Sequence, residues 1–255
     1  MLPKVHYLKK IKVAAVNYLN TKPLLYGIKR HPVSEQIELI EDYPAKIAEM
    51  LLNGLVDVAL VPVAIIPQMK EYYIITDFCI ASNGPVASVG LFSEVPVEKI
   101  EKVYLDYQSR TSVILAKILL KEYWKREVKF IDATSEEFRK KIVDTTAGVI
   151  IGDRALEQRL KSKHIYDLGE AWKNYTGLPF VFAAWISNKK LSPEFVTQFN
   201  EANALGVQHI DEVIAENSYT IIDLRKYYAE YISYKLDEEK KRAMKIFLEK
   251  LSHLN

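Results

Sequence analysis

The sequence predicts an α/β protein of two lobes joined by two crossing strands, with a helical tail. Three observations carry that expectation. Each half of the chain repeats a strand–loop–helix–strand order, which implies parallel, right-handed βαβ units. Two long apolar runs, 84–93 and 179–187, are each opened by a Gly/Pro signal and bracket the middle of the chain. From Ser192 onward the pattern is helical. The runs at 84–93 and 179–187 are too apolar for half-exposed strands and too short to span a membrane. We therefore expect a hinge crossing at each. Lobe 1 would comprise residues 1–88 with 186–255, and lobe 2 residues 89–185.

The first half reads in order. Residues 11–16 (IKVAAV) form a strand, and 17–22 a polar loop. Pro23 at a first helical turn, with Asn20 or Thr21 as cap, starts a helix. Residues 37–40 are the second strand. Tyr43-Pro44 opens a helix whose Ile47, Met50 and Leu51 share a face, and Asn53-Gly54 closes it. Residues 56–61 are the third strand, ended by Pro62. In the second half, 102–106 is a strand, and the loop 107–112 leads into a helix to about residue 123. Strands follow at 128–131 and 147–151. Thr134 with Glu137 matches a capping box, and Gly152-Asp153-Arg154 turns into another helix. In the tail, helices are expected over 194–206, 223–231 and 237–251, with their Lys/Glu runs facing solvent.

Bulk properties narrow the function. The chain has 255 residues, 49% hydrophobic and 27% charged, with a formal net charge of +2. That balance gives no strong pull toward nucleic acid or a membrane surface. One cysteine, Cys79, excludes an internal disulfide and a multi-cysteine metal site; it reads as a small apolar residue near a strand end. The five histidines are dispersed without metal spacing and read as surface residues, so no metal is expected, and nothing matches a phosphate loop or a GxGxxG fingerprint. Residues 1–12 are charged and lack the apolar core of a secretion signal, so a cytoplasmic location is expected.

Open α/β sheets bind ligands beyond the carboxyl ends of their strands, where helix N-termini point outward. The loops 17–22, 106–112 and 152–154 occupy that position, joined by the crossing 84–88. Asn20, Thr21, Ser88, Ser109, Thr111 and Ser112 are short hydrogen-bonding side chains on these segments. With free backbone N–H groups they suit a carboxylate ligand. Taken singly, each residue before a helix is an ordinary cap. Ser109-Arg110-Thr111-Ser112, however, holds more polar groups than a cap needs. Arg110 is suited either to a carboxylate or to a structural role. Asp153 is either an acid–base group or a dipole partner. Trp172 and Trp185 read as core.

Five blocks together resemble one family. They are Tyr18-Leu19-Asn20-Thr21-Lys22-Pro23-Leu24, Gly84-Pro85-Val86-Ala87-Ser88-Val89, Ser109-Arg110-Thr111-Ser112, Ile151-Gly152-Asp153-Arg154, and Asp167-Leu168-Gly169 with Trp172 and Thr176-Gly177-Leu178-Pro179-Phe180. They resemble the chorismate dehydratases of the futalosine route to menaquinone, over about residues 11–190. The resemblance implies a two-lobed type II periplasmic-binding-protein-like fold and a lyase that removes water from chorismate to give 3-[(1-carboxyvinyl)oxy]benzoate, with no cofactor. It implies chorismate as small-molecule partner, and a catalytic role for Asn20. Thr21, Ser88, the 109–112 loop and Asp153 would then bind substrate. Two other functions fit the same fold. One is the sister 1,4-dihydroxy-6-naphthoate synthase, whose early Ser-Pro-Cys-Pro-Asn-Asp-like block is absent here. The other is a solute-binding protein for a small carboxylate. The general base stays open between a side chain and a substrate carboxylate.

Overall fold

The computed structural model describes residues 10–254, which form a six-stranded and a five-stranded sheet. In the larger sheet, β1 (Ile11–Val16) lies between β2 (Ile37–Asp42) and β3 (Val58–Pro62), parallel to both. The connecting helices are α1 (Lys22–Arg30) and α2 (Pro44–Leu52). The smaller sheet repeats the plan. There β6 (Lys102–Leu105) lies between β7 (Lys129–Asp132) and β8 (Thr146–Ile151), again parallel to both. Helix α3 (Thr111–Ile118) follows β6, and α4 (Asp153–Arg159) follows β8.

Each parallel triplet is extended by antiparallel strands. In the larger sheet β10 (Phe180–Ser187) pairs with β3 on one edge and β4 (Tyr73–Ser82) on the other. In the smaller sheet β5 (Val89–Ser93) pairs with β8 and with β9 (His164–Asp167). The chain therefore changes sheets between β4 and β5, and returns after α5 (Leu168–Thr176).

The return crossing is not where the sequence puts it. The apolar run 179–187 lies wholly inside the larger sheet, because both edges of β10 find partners there. The boundary expected between residues 185 and 186 thus falls within a strand; the chain changes sheets at 177–179, where Gly177 adopts φ +73° to end α5. The earlier run also divides. Only its second half is strand, because Ala87 at φ +61° cannot continue an extended segment.

Local expectations fail in two places. No side chain caps α1. A 3₁₀ turn, Leu19–Thr21, feeds directly into the helix, so Thr21 is already helical and its hydroxyl donates to Asn20 Oδ1 at 3.1 Å. Thr134 and Glu137 form no capping box; Glu136–Lys141 is a 3₁₀ segment whose N-cap is Ser135, without a side-chain bond. The sequence reading also missed short elements. Among them are β9, α5, α7 (Ile210–Glu216) and β11 (Ser233–Lys235), the last pairing with β4 at the sheet edge.

The tail holds the lobes together. Helix α6 (Pro193–Gln208) packs on α1, and α9 (Glu238–Ser252) reaches β10 and α3. Phe247 of α9 meets Phe180 and Trp172 edge-on, at ring separations of 5.0 and 6.2 Å. Burying an apolar side chain of this size contributes about 1.5–3 kcal/mol. Lys250 of α9 pairs with Glu122 and reaches the Tyr175 hydroxyl at 3.1 Å. Trp172 and Trp185 are core, as expected, with indole N–H groups bonded to the Pro179 carbonyl and to Asn203. His31, His164 and His209 are half-buried rather than surface residues; His209 stacks on Tyr26, while His6 lies outside the described residues. Among the described residues no helix is long and apolar enough to cross a membrane.

Candidate functional site

The carboxyl ends of β1, β6 and β8 open onto one hollow of about 530 Å³, counting its mouth. One wall carries Tyr18, Asn20 and Thr21, and the other Ser109, Thr111 and Ser112. Phe182 and Ile80 are among the apolar residues between them. No charged side chain is among the lining residues. Five of the eight residues expected from sequence therefore share this hollow. Ser88, Arg110 and Asp153 are not among the lining residues.

The second wall is built from its own loop. The Asp106 carboxylate is buried at the end of β6 and accepts from Gln108 N (3.0 Å) and Ile151 N (3.2 Å). Arg154 donates to it at 2.7 Å and also pairs with Glu136. Ser109 Oγ accepts from Ser112 N at 3.2 Å, so the bland cap role is real and coexists with cavity exposure. Thr111 Oγ1 accepts from Ala64 N at 3.2 Å, across from the other lobe. That leaves its hydroxyl proton to donate elsewhere. Arg110 is half-buried, and its Nε is buried without a partner among the described residues.

The first wall is held from a distance. Tyr18 OH donates to Gln108 Oε1 of the other lobe, and Leu19 N donates to Asp153 Oδ1 at 3.0 Å. Ala45 N donates to the Gln108 carbonyl at 3.2 Å. The Tyr18 ring lies over Gly152, where a Cβ would come within 2.8 Å of it and where φ is +66°. Glycine is thus required there twice, by conformation and by space. Burial pushes the Tyr18 phenol well above its ordinary pKa, although Arg154 opposes the shift. Burial also raises the Asp153 carboxyl, against the Leu19 N–H bond that favours its charged form. Asn20 uses its Oδ1 to accept from Thr21, which leaves the amide NH₂ as its donor.

The crossing 83–88 is shaped by Asp167. This N-cap of α5 accepts from Gly169 N and Glu170 N, as caps do, and also from Val86 N (3.0 Å) and Ala87 N (2.8 Å). Those two bonds hold a tight γ-turn in which Ser88 N reaches the Val86 carbonyl at 2.7 Å. Its centre is Ala87 at φ +61°, a strained conformation. Gly169 is needed for close approach, since a Cβ there would sit 2.5 Å from Ser82 Oγ and 2.6 Å from the Gly84 carbonyl. Ser88 itself is fully buried, and its Oγ accepts from Tyr227 OH at 2.7 Å. Val86 and Val89, on either side, reach the hollow instead.

Sequence reasoning missed Tyr18, Gln108 and Gly152. Their roles depend on the opposite lobe, which no local pattern encodes. Among the described residues no group of three or more His, Cys, Asp or Glu is placed to hold a metal ion. Cys79 is buried within β4, with its thiol pushed up to about 12 by desolvation.

The profile of a family described as menaquinone biosynthesis matches residues 11–253. A chorismate dehydratase of Campylobacter jejuni is 30% identical over 249 residues, covering 94% of this chain and 97% of that one. A chorismate dehydratase of Thermus thermophilus is 27% identical over 264 residues, covering 92% of each. Among solved structures, an Archaeoglobus fulgidus protein aligns with a TM-score of 0.77 at 15% identity, covering 97% of this chain and 98% of that one. A Candida albicans protein described as having the generic periplasmic-binding-protein fold aligns at 0.63 and 13% identity, covering 96% and 91%. The architecture is accordingly the two-lobed periplasmic-binding-protein-like fold expected from the sequence. With a family profile running from the first residue of β1 to the end of the last helix, the chain belongs to the menaquinone biosynthesis family.

Proposed function

We propose that the hollow binds chorismate and removes water from it, giving 3-[(1-carboxyvinyl)oxy]benzoate. The observation that carries this reading is the convergence of Asn20, Thr21, Ser109, Thr111 and Ser112 on one apolar-backed hollow, in a chain whose relatives are chorismate dehydratases. The reaction breaks a C–H and a C–OH bond on neighbouring ring carbons. The C–H electron pair becomes part of the ring, and hydroxide leaves with a proton as water. The cyclohexadiene becomes a benzene ring, so aromaticity supplies much of the driving force. The protein's task is then orientation and exclusion of bulk water.

Neutral donors suit this task. Hydroxyls and the N-terminus of α3 stabilise a carboxylate without placing a fixed charge beside the ring. Arg110, flanked by lining residues Ser109 and Thr111, adds a buried guanidinium N–H that is without a partner. Asn20 presents an amide NH₂, which is a donor and not a base, so we assign it to the leaving hydroxyl. The lining residues include no carboxylate, imidazole or amine. That composition favours a substrate carboxylate as the base. We also propose that the lobes are hinged at 83–88 and 177–179 and close on the ligand.

A second reading, capture of a small carboxylate without turnover, draws on the fold shared with binding proteins. Incubation of the purified protein with chorismate separates the two. Loss of the diene absorbance with appearance of an aromatic acid supports dehydration. Saturable binding with chorismate recovered intact refutes it.

A further inference from the structure

Two tyrosines of the C-terminal segment touch the walls of the hollow from behind. Tyr234 lies in β11, the short strand added to the edge of β4, and its hydroxyl donates to the Asn20 carbonyl at 2.9 Å. Tyr227 is fully buried and donates to Ser88 Oγ at 2.7 Å. From Ser88 the connection continues, because the Ser88 carbonyl accepts from Gly152 N at 2.8 Å, and Gly152 is the residue on which Tyr18 rests. A longer third contact, 3.4 Å, runs from Tyr219 OH to the Asp153 carbonyl. One segment of chain therefore grips both sides of the hollow, at points 214 and 139 residues earlier in sequence.

We infer that Tyr227 and Tyr234 are positioning residues for the dehydration, setting the Ser88–Gly152 turn and the Asn20 amide in register with each other. The inference rests on the activity proposed above. Its physical basis is that neither of the two turns they contact is self-sufficient. The 3₁₀ turn carrying Asn20 has no side-chain cap, and the turn before Ser88 holds Ala87 in a strained conformation. Such turns keep one geometry only when surrounding bonds over-determine it. A buried phenol is well suited to this. It is rigid, carries one donor, and burial raises the pKa of both residues well above the ordinary phenol value, so neither loses its proton. The segment also lies between α6 and α9, which pack on the larger sheet and across the lobes, so its placement reports the assembled fold.

The test uses Tyr227→Phe and Tyr234→Phe in the full chain, each removing one oxygen atom. Steady-state kinetics with chorismate and thermal unfolding are measured on the same preparations. We expect kcat to fall roughly 10-fold or more in each variant, with KM altered less than about three-fold, as for lost alignment and not lost binding. Tyr234→Phe combined with Asn20→Ala should then be no slower than Asn20→Ala alone, because the tyrosine acts through that residue. Unchanged kcat per folded molecule, or additive losses in the double variant, would overturn the inference. So would failure of both single variants to fold, which would make the tyrosines elements of the fold. Wild-type protein that leaves chorismate intact defeats the proposed activity and this inference with it. Wild-type turnover with undisturbed variants defeats the inference alone.

Discussion

The two walls of the hollow are built on the same βαβ plan, yet they are held in opposite ways. The wall after β6 is fixed largely within its own lobe: Asp106 bonds Gln108, Ile151 and Arg154, and Ser109 bonds Ser112. The wall after β1 is fixed by residues far away: Gln108, Asp153 and Tyr234. On the proposed hinging, the first kind of wall would keep its shape when the lobes part. The second is complete only when Tyr18 docks on Gln108 and Gly152. In this arrangement one lobe carries a preformed cradle and the other brings the group that completes it. On the proposed activity and hinging, closure would then be a condition of catalysis and not merely a way to exclude water.

The largest effect should come from attacking the self-held wall. Asp106→Ala strips Arg154 of its buried partner and leaves two N–H groups unpaired. Loss of one member of such a pair costs about 3–5 kcal/mol, and denaturant unfolding should show it. A change within about 1 kcal/mol would mean that the loop is held by something else.

Next comes the other wall. Asn20→Ala should lower turnover on the order of 10²–10³-fold, the range seen when one transition-state donor is removed. The melting temperature should barely move, since among the described residues the Asn20 side chain bonds only its neighbour Thr21. Wild-type turnover in this variant would remove Asn20 from the mechanism.

Tyr18→Phe probes closure directly. Loss of the bond to Gln108 should cost about 0.5–1.5 kcal/mol of closed-state stability. Solution scattering with a benzoate-like ligand should then show a more open average shape than wild type. Identical scattering profiles for the two proteins would mean that this bond does not hold the lobes closed.

The smallest expected effect is a slope. Burial raises the folded-state pKa of Asp153, so its stabilising contribution is full at low pH and is lost as pH rises through that raised value. Asp153→Asn keeps an acceptor for Leu19 N and removes the titration. The difference in melting temperature between wild type and Asp153→Asn should shift in favour of the variant as pH rises above about 4. A constant difference across pH 3–7 would mean that Asp153 does not report on the interlobe contact.

Much of the architecture is legible in the residues. Apolar runs with β-branched side chains mark β1, β3 and β8, and Pro44 with Asn53-Gly54 frames α2. The Ser109–Ser112 cluster is legible for the same reason, since a loop that satisfies itself must carry the groups to do so. Where sequence and structure differ, the cause is also physical. An apolar run states that a segment is buried, but not between which neighbours, so the sequence suggests a hinge crossing at 179–187, whereas both partners of that strand lie in one sheet. Ser88 looks like a ligand donor in sequence. In the fold it is an internal acceptor, because Tyr227 arrives from 139 residues away.

The sequence by itself determined the two βαβ halves, the buried strands and the polar loops at their carboxyl ends. Periodicity and turn chemistry act over a few residues and leave their mark there. Tertiary structure alone decided that Tyr18 rests on Gly152, that Asp167 bends the crossing, and that C-terminal tyrosines brace Asn20 and Ser88. Each of these contacts joins residues 80 or more positions apart. Local propensity cannot record such pairings, because their free energy appears only once both lobes are folded and packed.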